Sequence, residues 1–430
     1  MPRIHLGMLG TGVAALSLLA TAVVSAPVAT AGNTGTGQTI APLTAPTRVP
    51  VRQDNGAQQS MVLPPSGKSP TWADITWVYH TLAPALRSTR TYATESAAGR
   101  AGFQRLPGTQ AGMFATFARQ ARGSSLNVRK PASLVYMDMG GPPLLAAVGY
   151  SMPAATTPQQ LDATFPASLA AWHQDLNVCQ AGKHLSVSHA AGIHDQASCA
   201  ARGGAFAPAG RWAITAWIGQ PRLGLFQSEA VGMAGMNMAG TGTQKIMEMT
   251  QEPYQMEMLS TNGAPISWSD VSRVYKLLLP AEAANRKYQD VAVARKDGFV
   301  TAPFLYVYVP GQGAHYIRPS ALTLTTATAF DVKHPPVLVY NEVHGKLKLS
   351  SLLYLMPISS TPRELARVFP PSMASWHRHV NTCVVGVKVV AIHDATSCHA
   401  ASGFFLRDTG WMVHAWLFDT ATGVFDMDQG

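Results

Sequence analysis

Hydrophobic and polar positions in the second half of the chain change from a helical to a strand-like spacing. Asp270 is predicted to cap an apolar run with helical spacing from Val271 to Leu279, and residues 281–296 continue this pattern up to Gly298. Strand-like segments bounded by turn residues follow at 304–309, 337–343, 347–356 and 411–418. Helices followed by an apparently antiparallel sheet predict an α+β domain.

This pattern occurs twice in the chain. The segment 165–179 matches 369–383 at 8 of 15 positions. Ordered matches extend over about 155 residues, which indicates two tandem homologous α+β domains, each with N-terminal helices followed by a mainly antiparallel sheet. Five further matches lie 196 positions apart: Trp72, Tyr79, Tyr92, Gly102 and Phe103 correspond to Trp268, Tyr275, Tyr288, Gly298 and Phe299.

Composition predicts the boundaries of the domains. A signal peptide is expected at 1–31, a flexible leader at 32–68, the first domain at 70–228, a linker rich in Met and Gly at 229–265, and the second domain at 266–427.

The first 31 residues have the three parts of a secretory signal. Arg3 and His5 precede an apolar run over 8–24, and Ala29-Thr30-Ala31 is a small-x-small cleavage site. The other interpretation is a single uncleaved helix. No later stretch reaches the roughly 20 apolar residues of a membrane span, so we expect a periplasmic or secreted protein with no stable membrane insertion after cleavage.

The four cysteines fit an oxidising compartment. They form two local pairs, Cys179 with Cys199 and Cys383 with Cys398, and each pair predicts a disulfide that closes a short loop. A metal site built from cysteines is the other interpretation, but the C-x2-C spacing typical of such sites is missing.

The charge pattern argues against nucleic-acid binding. Charged residues make up 13% of the chain, about half the usual fraction, and the net charge of +9 comes mainly from a shortage of acids. The 32 Lys and Arg form no dense basic run, so no nucleic-acid partner is expected.

The candidate chemistry lies in the histidines of the second domain, which holds eight of the 14. In a strand, His377 and His379 project to one face. Together with His414 they would supply the three imidazoles favoured by copper, zinc and nickel, with His315 or Glu342 completing the ligands. The other interpretation is that these histidines are half-buried and hydrogen-bonded for structural reasons.

The first domain provides an internal control for these histidines. The first domain keeps only one of the four histidines at the aligned positions. Its fold therefore does not require the other three, so a chemical role for them in the second domain is favoured. The counterparts from sequence alignment are His173 for His377, Asp175 for His379, Thr215 for His414 and, roughly, Met113 for His315.

Methionines are concentrated in the linker, with 7 of the 18 inside 26 residues. Met233, Met236 and Met238 are a possible second metal site, because thioethers are soft donors that suit Cu(I). This tract resembles the Met-rich segments of bacterial periplasmic copper-resistance proteins. The alternatives are a flexible linker that happens to use Met, and, for 247–258, a strand that pairs with the body of the protein.

Two motifs, Trp-His-x-His-x-Asn-x-Cys at 376–383 and Gly-Trp-Met-x-His-x-Trp at 410–416, resemble a family of uncharacterised exported bacterial proteins. The resemblance implies export and a His-centred site, and it implies no substrate. We therefore expect an exported metal-binding protein, with copper as the ion and zinc as the alternative. The other hypotheses are a copper oxidase or zinc hydrolase that uses the same centre, and a metal-free interaction module held by disulfides. The sequence identifies neither catalytic residues nor a protein partner.

Overall fold

The computed structural model describes residues 48–54, 59–106, 114–119, 126–138, 140–181, 195–219, 223–227, 244–301, 313–319, 330–386 and 388–427. The chain has the predicted α+β class, with two homologous halves that each combine a long helix with an antiparallel sheet. The predicted signal peptide lies outside the described residues, as does the predicted strand at 304–309.

The first half forms one sheet and a set of helices. Its strands are β1 (Val51–Asp54), β2 (Gln59–Leu63), β3 (Gln104–Arg105), β4 (Phe114–Ala118), β5 (Ser133–Met137), β6 (Leu144–Met152), β7 (Trp172–Ala181) and β8 (Gly204–Trp217). Its helices are α1 (Trp72–Thr89), α2 (Glu95–Arg100), α3 (Pro158–Asp162) and α4 (Gln196–Ala200), and a 3-10 turn covers Arg90–Tyr92.

The second half repeats this order. Its strands are β9 (Ile246–Gln251), β10 (Tyr254–Leu259), β11 (Val300–Thr301), β12 (Ala314–Ile317), β13 (Val337–Val343), β14 (Lys346–Met356), β15 (Trp376–Val385), β16 (Lys388–Val390), β17 (Phe404–Asp408) and β18 (Trp411–Ala415). Its helices are α5 (Trp268–Asn285), α6 (Val291–Lys296), α7 (Pro362–Val368) and α8 (Ala395–Ala400), and a 3-10 turn covers Arg286–Gln289.

The two sheets have the same strand order. In the first half it is β1-β2-β7-β8-β6-β5-β4-β3, and in the second β9-β10-β15-β18-β14-β13-β12-β11. The second sheet also contains β16 and β17, which both pair with β15, whereas the single long strand β8 takes the places of β17 and β18 in the first. Equivalent strands therefore have equivalent neighbours, and positions can be compared between halves by register.

One hairpin at the edge of each sheet falls in a segment that composition assigned elsewhere. Strands β1 and β2 lie within 32–68, the expected flexible leader, and β9 and β10 lie within 229–265, the expected linker. Each hairpin pairs with the strand that carries the first cysteine of a disulfide, β7 or β15. Residues 247–258 thus lie in strands that pair with the body of the protein, which is one of the alternatives predicted for this segment.

The long helix of the second half begins earlier than its apolar pattern indicates. Ser267 is the N-cap residue, and its hydroxyl accepts a hydrogen bond from the Asp270 backbone N–H. The Asp270 carboxylate in turn accepts from the Ser267 N–H. Asp270, expected to be the cap, is therefore the third residue of a capping box. The helix also continues through Pro280 to Asn285.

Equivalent aromatic residues of the two long helices meet where α1 packs on α5. The rings of Tyr79 and Tyr275 stack with their centroids 3.9 Å apart. Trp72 stacks on Tyr275 at 5.9 Å, and its counterpart Trp268 stacks on Tyr79 at 5.8 Å. The two halves thus contact each other through the same helix face.

The second sheet has two different faces. Tyr340, Trp376 and Val413 lie on the face that packs with the α5 residues Val271 and Leu278 in the main core. The opposite face has its own smaller apolar cluster, composed of Ile317, Val337, Val339, Leu353, Met412 and Trp416. The candidate histidines lie on this second face.

Both predicted disulfides are present, Cys179–Cys199 and Cys383–Cys398. Each joins a sheet strand to the following short helix, with the two Cα atoms 5.6 Å apart. Among the described ranges, no helix combines the length and apolar character needed to cross a membrane.

Candidate metal centre

Four histidines occupy three strands of the second sheet: His315 on β12, His377 and His379 on β15, and His414 on β18. His377 pairs with Met412, which is two residues before His414, so the side chains of these three residues lie on one face. His379 joins them because side chains two residues apart in a strand point the same way.

The four imidazoles form a connected chain. His377 lies between His379 and His414, with ring centroids 5.6 Å from each. The rings of His377 and His414 are nearly parallel, at 7°. The ring of His315 meets that of His414 edge-on, at 5.8 Å between centroids.

Curvature of the sheet brings His315 to this chain. Its strand β12 is separated from β18 by β13 and β14, which in a flat sheet would put the two backbones about 14 Å apart. Because the rings of His315 and His414 are 5.8 Å apart, the sheet must curl around this face, making it concave. The predicted fourth histidine is therefore close to the other three.

Burial keeps these imidazoles neutral. It lowers the pKa of His377 to about 3 and those of His315 and His379 to about 4, and it lowers the pKa of His414 well below its usual value. Repulsion between the rings, were they charged, adds to the effect at His377 and His414. A neutral imidazole has a free lone pair, which is the form that binds a metal ion.

Among the described residues, two of the imidazole nitrogens, His379 Nδ1 and His414 Nδ1, are buried without a hydrogen-bond partner. Leaving such a group unpaired costs about 1–3 kcal/mol, and native proteins contain few of them. By contrast, His315 hydrogen-bonds to the backbone of Gly313. The purely structural interpretation, in which every histidine is satisfied by hydrogen bonds, thus leaves one nitrogen each of His379 and His414 without a partner among the described residues.

The histidines would have to rotate to share one ion. Within the described part of the chain, His, Cys, Asp and Glu side chains form no group of three or more that could hold a metal as they stand. Glu342 does not join the histidines. His315 pairs with Val339, so both lie on one face of the sheet. Glu342 is exposed near the end of β13, three residues beyond Val339, and its side chain therefore lies on the opposite face. The donor types suit a metal, and the observed rotamers do not form a finished site.

Methionines and one tryptophan extend this face beyond the predicted residues. Met258 pairs with His377, and Met256 pairs with His379. The indole of Trp416 stacks on His414 with ring centroids 5.3 Å apart. The sequence contains a signal for the methionines, because Met256-Glu-Met258 has the same period of two as His377-Arg-His379.

The first half has the same framework without the same donors. Register confirms that His173 and Thr215 occupy the positions of His377 and His414, since they pair with Ala213 and Gly149. The counterpart of His315 is Thr116, which pairs with Val135 as His315 pairs with Val339. The rough alignment of His315 with Met113 is thus corrected, because it placed the strand three residues too early.

The methionines expected to form a second site, Met233, Met236 and Met238, lie outside the described residues. No family model, curated protein or solved structure matches the chain. The candidate site therefore has to be judged on its own geometry.

Proposed function

We propose that this protein is exported and binds copper through His377, His379 and His414, with His315 as a fourth ligand. The observation that carries the proposal is the pair of buried, unpartnered imidazole nitrogens inside a chain of four neutral histidines. Coordination of a cation would satisfy both nitrogens and offset the unfavourable burial of unpaired polar groups. Side-chain rotations would be needed to turn the imidazoles to one ion.

Copper is preferred over zinc because of the surroundings of the histidines. Imidazoles alone suit both ions, but thioether sulfur favours copper, and Met256, Met258 and Met412 share the face of the histidines. A bound copper ion would supply a redox-active cation at this face. The proposed role is binding of the ion; Glu342, the other candidate for the fourth ligand, lies on the opposite face.

The disulfides support a location outside the cytoplasm. Stable disulfides persist in the periplasm and in secreted proteins and are rare where thiols are kept reduced. Cys179–Cys199 and Cys383–Cys398 fit this location. We infer that the protein meets its copper in the periplasm or outside the cell.

The proposal is tested by the metal content of untagged protein purified from the periplasm, measured by mass spectrometry. We expect about one copper ion per chain at the histidine site. We expect this copper to be lost in the His377→Ala/His414→Ala variant. Electron paramagnetic resonance of Cu(II) should show coupling to imidazole nitrogens in the wild type alone.

His173→Ala is the matched control, because His173 holds the position of His377 in the first half. It should keep its copper. The proposal is overturned if no metal binds after copper loading, which would favour an interaction module, or if the double variant still binds Cu(II) that is coupled to imidazole nitrogens. Zinc in place of copper would overturn the choice of ion and lead to tests for hydrolase activity.

A further inference from the structure

We propose that Met247, Met249, Met256 and Met258, here called the hairpin methionines, form a Cu(I) site on the β9–β10 hairpin beside the histidines. This site is separate from the His-centred site and uses a different class of ligand. It would bind a soft monovalent cation through thioether sulfur. The site formed by the hairpin methionines is also distinct from the methionine tract around Met236, which precedes the hairpin in the chain.

Strand register places two of these methionines in a row with a histidine. Met247 pairs with Met258, Met258 pairs with His377, and His377 pairs with Met412. Residues directly opposite one another in neighbouring antiparallel strands share a face, with Cβ atoms about 4.5–5.5 Å apart. Three thioethers and an imidazole therefore follow one another across four strands.

A second row runs beside the first. Met249 pairs with Met256, and Met256 pairs with His379. The two rows are two residues apart along each strand, so all their side chains project from the same face. Methionine has three rotatable bonds, which allow neighbouring sulfurs in this grid to turn toward one ion.

Exposure decreases from the sheet edge toward the histidines. Met247 lies on the edge strand β9 and is 41% exposed, Met249 and Met258 are half-buried, and Met256 is 2% exposed. An ion arriving from solvent would meet Met247 first. The buried sulfur of Met256 and the unpartnered Nδ1 atom of its pair His379 lie further inside.

The carboxylates of this hairpin are directed to its other face. Glu248 pairs with Glu257, and the Glu257 carboxylate accepts hydrogen bonds from the Arg378 guanidinium. Arg378 also donates to Asp408. The hairpin thus presents neutral sulfur donors on one face and a paired charge network on the other, which selects for a soft ion over a hard one.

The equivalent hairpin of the first half shows that the fold does not require the methionines. There His173 pairs with Val62, and Val62 pairs with Val51, so these two valines stand at the positions of Met258 and Met247. Ser60 stands at the position of Met256, and Ala213 at that of Met412. Thioethers and histidines are thus absent together from these positions of the first half, apart from His173.

The test uses Ag(I), a redox-inert substitute for Cu(I), and protein labelled with carbon-13 at the methionine methyl groups. Wild-type protein is titrated with Ag(I) and followed by NMR, with resonances assigned from single Met→Leu variants. We expect the methyl signals of the four hairpin methionines to shift. Replacing all four by Leu should weaken Ag(I) binding by about tenfold or more.

The matched control is Met61→Leu. Met61 lies in the equivalent hairpin but packs against the main core, so this variant should bind Ag(I) like the wild type. Because Met→Leu nearly conserves volume, the fourfold variant should fold, which its thermal melting would verify. Should that variant unfold, the methyl shifts of the wild type still decide the question.

This proposal is overturned if the folded fourfold variant binds Ag(I) with wild-type affinity. It is also overturned if Ag(I) shifts only the methyl signals of the methionines at 233, 236 and 238. The two sites can fail independently. Retained methyl shifts in the His377→Ala/His414→Ala variant support the methionine site even if Cu(II) binding at the histidines is disproved. Loss of Ag(I) binding with intact Cu(II) binding in the fourfold variant supports both sites.

Discussion

The indole of Trp416 lies parallel to the imidazole of His414, at 9°, with their ring centroids 5.3 Å apart. The Trp416 Nε1–H donates to the Asp426 carbonyl, which fixes the indole in this position. A fluorophore is thus held against one of the proposed copper ligands. This contact provides an optical reporter for the site.

We expect Cu(II) to quench the tryptophan fluorescence of this protein and Zn(II) to quench it much less, because Cu(II) is a redox-active quencher that is effective at short range. Trp416→Phe should remove most of the quenching. Trp217→Phe is the control, since Trp217 has the same place in the first half and packs on Phe114 instead of a histidine. Equal quenching in the two variants would contradict the proposed location of the ion.

The metal-free protein should lose stability as the pH falls. In the folded state burial holds the pKa of His377 near 3 and those of His315 and His379 near 4, whereas in the unfolded chain each stays near 6.5. At pH values between the folded and the unfolded pKa of these histidines, the unfolded chain takes up protons that the folded chain does not. The stabilisation is therefore complete above about pH 6.5 and declines toward pH 4, by up to about 1.4 kcal/mol per pH unit for each histidine.

Urea denaturation of metal-free protein from about pH 7 to pH 5 measures this decline. His414→Gln should reduce its slope, because one buried histidine is removed. A free energy of unfolding that stays constant over this range would show that the four histidines are not buried as described.

Gly313 controls the position of His315. Its φ angle is +71°, and a Cβ atom there would lie 2.6 Å from both the Asn341 Oδ1 and the Tyr340 carbonyl oxygen. Gly313→Ala should therefore displace β12, lower the free energy of unfolding by about 1–3 kcal/mol, and weaken copper binding. Urea denaturation and copper titration measure the two effects.

Gly298→Ala separates backbone strain from this collision. Gly298 also has a positive φ, +87°, but a Cβ atom there would meet no atom of the described residues within 4 Å. The Gly298→Ala variant should be destabilised less than the Gly313→Ala variant, and it should keep its copper affinity. If both variants behave alike, the close approach to Asn341 has no effect on the site.

The stack of Tyr79 on Tyr275 should couple the stabilities of the two helices. A double-mutant cycle with Tyr79→Leu and Tyr275→Leu should give a coupling energy of about 0.5–1.5 kcal/mol, as expected for an aromatic pair. Tyr275→Phe is the control for the hydrogen bond between the Tyr275 hydroxyl and His80 Nε2, 2.8 Å long. Additive losses in the cycle would show that the rings do not interact.

The sequence allowed prediction of features that depend on local spacing or on the repeat. The H-x-H spacing of His377 and His379 predicted their common face, and the two local cysteine pairs in a chain with an export signal predicted both disulfides. The sequence did not reveal that Met256 pairs with His379, because β10 and β15 are far apart in the chain and their pairing depends on tertiary packing. The face of Glu342 likewise depends on register, which composition and spacing do not determine.

The contact between Tyr79 and Tyr275 also has an evolutionary consequence. Each half presents the same helix face to the other, as two subunits of a homodimer do, and here the two halves are joined in one chain. Association of the halves then no longer depends on protein concentration. Mutations also cease to appear in pairs, and one half could lose its ligands while the other kept them.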